Sequence, residues 1–273
     1  MKMTHLRSFA ASAVLILGSA VAAGAGQAAL PSAWTDQTVV VDGLSKDWQG
    51  IPLTDWKKDG VSYAFRNDDE NLYALLVIKD PKYRSTIEAT GVTLYFDAKG
   101  AKSKDYGILF KKVRLDPEAY IAHLEKQGPV SEEDKAELRK KAGFYLYHHQ
   151  VLDHKGKPVE AVSEALARPA VFKYAPDGPA AVYEFSVPLL RGSDLAAGVG
   201  AGPGAPVAVG FEWGGQTEEM KKAAAKKQRE QANFANEEAD RGGDPQIVRS
   251  TGTGPTPKKY SFWTSLALAK SGS

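Results

Sequence analysis

The sequence predicts a mostly β protein: an antiparallel two-sheet β-sandwich of about ten strands with two helical insertions. Three observations favour this fold class. Short apolar or alternating runs recur along the chain, with turn residues between them. Strand and helix patterns do not alternate regularly, which argues against a parallel sheet. The helical patterns are confined to residues 117–142 and 217–241.

The first 28 residues have the pattern of a cleavable secretory signal peptide. A basic head precedes an apolar stretch over residues 9–23. That stretch is shorter than the roughly 20 residues that a membrane span needs. Small residues follow it and predict cleavage after Ala25 or Ala28. We therefore expect a periplasmic or secreted protein whose mature chain has no transmembrane segment.

Composition excludes several classes of function. The chain has 273 residues and no cysteine, so disulfides, thiolate catalysis and cysteine-ligated metals are excluded. Its 35 Lys and Arg face 33 Asp and Glu, a net charge of +2, which predicts no nucleic-acid partner. With 43% hydrophobic residues, the mature chain can form a sizeable core.

The mature chain is expected to start with a flexible segment over residues 29–37. A single β-sandwich domain then spans residues 38–270, and residues 72–78 form its most apolar strand, typical of burial on both faces. A turn at Pro176, Asp177 and Gly178 predicts a hairpin. The predicted strands cover residues 38–41, 61–65, 72–78, 92–96, 106–115, 144–152, 170–174, 182–187, 207–213 and 260–268.

Both insertions carry helix boundary signals. Residues 117–142 are expected to form two helices separated by Gly128 and Pro129, with Ser131 capping the second. Residues 217–241 are expected to form a longer helix that begins at the N-cap Thr217. Because its apolar positions are mostly alanine, we interpret it as a surface helix.

Three segments, in order, resemble the family 9 carbohydrate-binding modules and their DOMON-like relatives. They are VVVDGLSKDWQGIPL at 39–53, DDENLYALLVIKDP at 68–81 and VYEFSVPL at 182–189. The resemblance covers most of residues 38–215. It implies a β-sandwich with a ligand-binding end or face, usually for sugars. It also implies structural calcium in some members and haem in some relatives of the wider superfamily.

Aromatic side chains at strand ends are the expected sugar contacts, because the apolar faces of pyranose rings stack on flat aromatic rings. Trp56 lies in a polar connection, and Trp213 ends a strand before two glycines. Arg66, at another strand end, is expected to donate hydrogen bonds to sugar hydroxyls. Trp48 belongs to the first family-like segment and is expected in the core.

Acidic turns offer oxygen ligands for a structural calcium ion. The candidate ligands are Asp42, Asp47 and Asp97. No loop has the alternating spacing of a calcium-binding hand, so the alternative is that these residues only form turns.

These observations predict an exported, non-catalytic module that binds a sugar or glycan through aromatic side chains at the rim of the sandwich. One alternative is a cell-envelope interaction or assembly protein that kept the fold without sugar binding, with an envelope protein as its partner. Its distinguishing features are the two helical insertions. The other alternative is a haem-binding or catalytic sandwich, although no nucleophile elbow, phosphate loop or zinc motif is present.

Overall fold

A computed structural model describes residues 29–37, 39–57, 60–159, 169–191, 197–240 and 258–272. Within these ranges the chain forms twelve β-strands and four α-helices. The strands are β1 (Leu30–Pro31), β2 (Ala33–Trp34), β3 (Thr54–Lys57), β4 (Val61–Asn67), β5 (Asn71–Ile78), β6 (Val92–Asp97), β7 (Gly107–Leu115), β8 (Phe144–Leu152), β9 (Val171–Asp177), β10 (Ala180–Pro188), β11 (Pro206–Trp213) and β12 (Tyr260–Ala267). The helices are α1 (Pro81–Thr90), α2 (Pro117–Glu125), α3 (Glu132–Arg139) and α4 (Glu218–Asp240).

The strands form two six-stranded sheets, which confirms the predicted β-sandwich. Sheet 1 has the order β1-β12-β11-β6-β7-β8. Sheet 2 has the order β2-β4-β5-β10-β9, with β3 also paired to β4. All pairings are antiparallel except two short parallel ones, β1 with β12 and β2 with β4.

The core lies between the sheets and is rich in aromatic side chains. Phe211 of sheet 1 packs against Tyr63 and Phe65 of sheet 2, with ring centroids about 6 Å apart. Inward and outward residues alternate along each strand, because successive side chains point to opposite faces of a sheet. The alternation fixes which side chains of sheet 1 lie in the core and which lie on its outer face.

The segment 39–53 covers the outer face of sheet 2. The predicted strand at residues 38–41 is wrong for residues 39–41, which form no strand; Thr38 lies outside the described residues. Val39 packs instead, with Trp48, against the outward side chains of β5 and β10. Trp48 is 4% exposed, as expected for a core residue. This cover explains why β5 is apolar on both faces.

Glu184 of β10 holds this segment to sheet 2. Its carboxylate is 1% exposed and accepts hydrogen bonds from three groups. The donors are Trp48 Nε1 at 2.7 Å, the Gly43 amide at 2.7 Å and the Asp42 amide at 2.9 Å. Burial raises the pKa of Glu184, although these hydrogen bonds act in the opposite direction.

The contact between the segment 39–53 and sheet 2 also requires a glycine at position 43. Gly43 has φ +84°, and a Cβ there would lie 2.6 Å from the Tyr174 backbone. Gly43→Ala is therefore expected to lower the free energy of unfolding by about 2 kcal/mol. Gly50→Ala is the matched control, because Gly50 has φ +80° with nothing within 4 Å of its Cβ position. In denaturant unfolding, Gly43→Ala should lose clearly more free energy of unfolding than Gly50→Ala. Equal losses in the two variants would contradict a clash at position 43.

The segment 29–37, expected to be flexible, contains two short strands. β1 joins sheet 1 and β2 joins sheet 2, with Ser32 between them. Asn67 is fully buried and accepts hydrogen bonds from Ser32 Oγ and the Ala269 amide. It also donates to the carbonyls of Asp68 and Ala269. We call Ser32, Asn67 and Ala269 the terminal junction, because it joins the two ends of the described chain.

The helices lie mainly where the sequence predicts them. Ser131 accepts a hydrogen bond from the Asp134 amide, as the predicted cap of α3. Thr217 Oγ1 accepts one from the Met220 amide at the start of α4. α1 was not predicted; it begins at Pro81 with Asp80 as its N-cap. Within the described residues, no helix is long and apolar enough to cross a membrane.

Candidate functional site

The outer face of sheet 1 carries a groove of about 520 Å³. Its floor includes the outward side chains of β6, β7, β8 and β11, namely Thr93, Leu109, Gln150 and Glu212. One wall is the connection between β11 and α4, over residues 214–217. Polar and apolar side chains therefore line this open groove together.

Two aromatic rings also lie on the outer face of sheet 1. They are two residues further along the strands than the pair Thr93 and Glu212. Trp263 of β12 lies over Gly210, where a Cβ would be 2.8 Å from the indole ring. Tyr95 of β6 lies over Gly107, where a Cβ would be 2.8 Å from the phenol ring. Each ring therefore lies directly against the backbone of the neighbouring strand, where a larger residue would clash. Their centroids are 6.1 Å apart, and Trp263 is partly exposed whereas Tyr95 is 6% exposed.

Glu212 links the aromatic rings to the groove. Its carboxylate pairs with Lys104 and, at 2.8 Å, with Lys259. Tyr95 Oη donates a long hydrogen bond to it at 3.5 Å. Burial raises the pKa of Glu212, but the two lysines outweigh burial and hold it below its ordinary value. Burial and the neighbouring Glu212 raise the pKa of Tyr95 to about 12. Glu212 is therefore an ionised hydrogen-bond acceptor at neutral pH.

This arrangement is suited to binding. Glu212 and Trp263 are diagonal neighbours on adjacent strands, a relation that places Cβ atoms roughly 7–8 Å apart. A flat ring and a fixed acceptor thus lie within the width of one sugar ring. Among the residues lining the described groove, Glu212 is the one carboxylate.

The structure brings the predicted contacts Trp56 and Trp213 together, with ring centroids 5.4 Å apart. They meet at one end of the core. Trp56 stacks on Phe262 at 5.0 Å, and Lys57 lies over its ring. Trp213 is 2% exposed, because its strand position faces inward. It also lines one end of the groove, and its Nε1 has no hydrogen-bond partner among the described residues.

Arg66, the third predicted contact, lies on the outer face of sheet 2. It donates a hydrogen bond to the Asp47 carbonyl and lines a small polar cavity of about 280 Å³ beneath the segment 39–53. Arg66 is therefore remote from Trp56 and Trp213, and its role in ligand binding stays a prediction.

The candidate calcium ligands are not brought together. Asp42 accepts from the Leu44 amide and pairs with Lys46, and Asp47 accepts from the Val40 amide. Asp97 is at the end of β6 in sheet 1, where it accepts from the amides of Lys99 and Ser103. Among the described residues, no three His, Asp or Glu side chains converge to hold a metal. A structural calcium ion stays a prediction.

Sequence reasoning missed Trp263, Tyr95 and Glu212. A signal was present in two strand glycines, Gly107 at the start of β7 and Gly210 inside β11. Glycine inside a strand often marks a site where another group approaches the backbone closely. Here those groups are aromatic rings.

Comparison with known proteins gives limited similarity. No family model matches the chain, and no curated protein matches it. Two solved structures of a family 9 carbohydrate-binding module from Caldicellulosiruptor kristjanssonii are similar to it. The glucose complex is 10% identical, covers 70% of this chain and 80% of its own, and has a TM-score of 0.33. The cellotriose complex is 8% identical, and the match covers 88% of this chain and 93% of that structure's chain, with a TM-score of 0.37. Membership of that family, and the DOMON-like relationship, stay predictions.

Proposed function

We propose that this chain is an exported, non-catalytic module that binds a sugar or glycan on the outer face of sheet 1. The observation that carries the proposal is the Trp263 ring, which lies against Gly210 beside the ionised Glu212. Export is supported by the signal-peptide pattern of the first 28 residues.

Each part of the site has a role in this proposal. One pyranose ring stacks its apolar face on Trp263, and its hydroxyls donate to Glu212. Lys104 and Lys259 hold Glu212 in place before the ligand arrives, which lowers the entropy cost of binding. Further sugar units occupy the groove, whose 520 Å³ falls within the usual range for ligand pockets.

The single lining carboxylate supports a non-catalytic role. A typical glycosidase needs two carboxyl groups at a defined separation. In the described part of the groove, Glu212 has no such second carboxylate, and its two lysine partners keep it deprotonated and unable to act as an acid. An envelope-protein partner stays a prediction.

Trp263→Ala is expected to weaken glycan binding by at least about 30-fold, because it removes the stacking surface at the centre of the contact. Calorimetry with a panel of soluble neutral oligosaccharides measures the effect. Trp34→Ala is the matched control, since Trp34 is a partly exposed tryptophan on sheet 2. Glu212→Gln tests the acceptor and is expected to weaken binding less than Trp263→Ala.

Two results would contradict the proposal. The first is a wild-type protein that binds no member of the panel. The second is binding that Trp263→Ala and Trp34→Ala reduce equally, because the contact would then not lie on sheet 1.

A further inference from the structure

A second aromatic cluster lies at the end of the sandwich where β7 and β8 continue past β6. We call it the tyrosine cluster; its members are Lys112, Tyr145, Tyr147, Lys173 and Tyr174. The Lys112 ammonium lies 3.9 Å from the ring centroid of Tyr145 and 4.5 Å from that of Tyr174. The Lys173 ammonium lies 4.7 Å from the centroid of Tyr147. Tyr145 is 55% exposed, so the cluster is open to solvent.

Lys112, Tyr145 and Tyr147 lie on the opposite face of sheet 1 from Trp263, whereas Lys173 and Tyr174 belong to β9 of sheet 2. Lys112 and Tyr147 are paired in register, one residue after the pair Lys111 and His148, which lines the groove. Because side chains alternate between the faces of a sheet, the two sites are separate. A ligand of the tyrosine cluster therefore does not depend on the Trp263 site.

Neither ammonium group has a carboxylate within ion-pair distance in the part of the chain that the structure describes. Among the described residues, Lys112 and Lys173 contact aromatic faces but form no ion pair with a carboxylate and no hydrogen bond. Each ammonium has three donors, and a buried or half-buried charge is costly without partners. Burial lowers the pKa of Lys112, with Glu88 acting in the opposite direction.

A third polar group in the same place is also without a partner. Tyr183 is 3% exposed, and its ring lies 5.0 Å from that of Tyr174. Its hydroxyl has no hydrogen-bond partner among the described residues. Buried hydroxyls are normally paired, so this donor indicates a group that completes the site.

The local charge is positive. α1 contributes Arg84 and Glu88, whose charges both act on Tyr174 and Tyr183 and cancel each other formally. Lys112 and Lys173 add two positive charges beside three tyrosine rings, and Glu184, the register partner of Lys173, adds one negative charge. Aromatic faces suit a sugar ring, and ammonium groups suit an anion.

We propose that the tyrosine cluster is a second binding site, which takes a saccharide bearing a carboxylate or sulfate group. Its pyranose ring contacts the open side of Tyr145, and its anionic group accepts hydrogen bonds from Lys112 and Lys173. This site is independent of the neutral-glycan site on the outer face of sheet 1.

Calorimetry with trigalacturonate and with a sulfated heparin disaccharide tests the proposal and separates carboxylate from sulfate recognition. The double variant Lys112→Met and Lys173→Met is expected to weaken binding of the preferred anionic saccharide by at least about 10-fold. Methionine keeps an apolar side chain against the rings and removes only the charge. Lys155→Met, in an exposed turn, is the control and should leave the affinity unchanged.

The two sites are distinguished by testing the variant of one site with the ligand of the other. Trp263→Ala should leave anionic-saccharide binding unchanged, so failure of the first site does not imply failure of this one. The proposal is overturned if neither anionic saccharide binds, or if Lys155→Met weakens binding as much as the double variant. It is also overturned if free sulfate or acetate binds as tightly as the saccharide, since the rings would then have no role.

Discussion

Glu184→Ala is expected to lower the free energy of unfolding by about 4 kcal/mol, the largest effect of any single substitution considered. The change leaves three buried N–H donors without an acceptor, those of Trp48, Asp42 and Gly43. It also releases the segment 39–53, which covers the outer face of sheet 2. Urea unfolding followed by tryptophan fluorescence measures the loss.

Two further variants separate hydrogen bonding from packing. Glu184→Gln keeps the shape of the side chain but replaces one accepting oxygen with an NH2 group. That group would face a backbone or indole N–H, which is also a donor, so the variant should lose about 2 kcal/mol of unfolding free energy. Trp48→Phe removes one donor and part of the ring, and should cost less than Glu184→Ala. If Glu184→Gln matched the wild type in stability, the carboxylate would not be the group that holds the segment.

Asn67→Ala is expected to cost about 3 kcal/mol, because it removes all the hydrogen bonds that the Asn67 side chain makes in the terminal junction. Asn67 is fully buried and bonds to Ser32, Asp68 and Ala269. Ser32 Oγ shares this role, since it donates to Asn67 and to the Ala267 carbonyl and accepts from the Ala269 amide.

A double-mutant cycle tests this assignment. Ser32→Ala alone removes one partner of Asn67 and should cost about 1 kcal/mol. Combined with Asn67→Ala, it should add little further loss, since the two side chains share one network. Additive losses would show that Ser32 and Asn67 act independently, against the structure.

Hydrophobic patterning predicted most of the sandwich. The apolar run at 72–78 is β5, and the run at 144–152 has the same bounds as β8. The sequence revealed these strands because the apolar pattern of each one is contained within its own residues. β1, β2 and β3 were missed because they are two to four residues long and owe their pairing to neighbouring strands.

Two local errors have clear causes. The sequence analysis predicted no helix after β5, but Asp80 and Pro81 are an N-cap followed by a proline in the first turn of α1. The valines at 39–41 have strand propensity. Their segment lies instead across the outer face of sheet 2, where Glu184 binds its amides. Tertiary contacts outweighed propensity there.

The candidate site was less predictable than the fold. The sequence singled out Trp56 and Trp213, and the structure places them side by side, with Trp213 buried in the core and Trp56 partly buried against it. Whether a strand tryptophan faces inward or outward depends on register, which one sequence does not reveal. Trp263 is accessible because Gly210 on the neighbouring strand leaves room for its ring.

The pairing of β1 with β12 sets the order in which the chain can mature. β12 lies between β1 and β11, so neither neighbour is fully paired until the last residues have been synthesised. Contacts that join residues 235 positions apart form slowly, because a long loop must close before they contribute. The pairings of β12 with β1 and with β11 therefore form only after residues 260–267 have been synthesised.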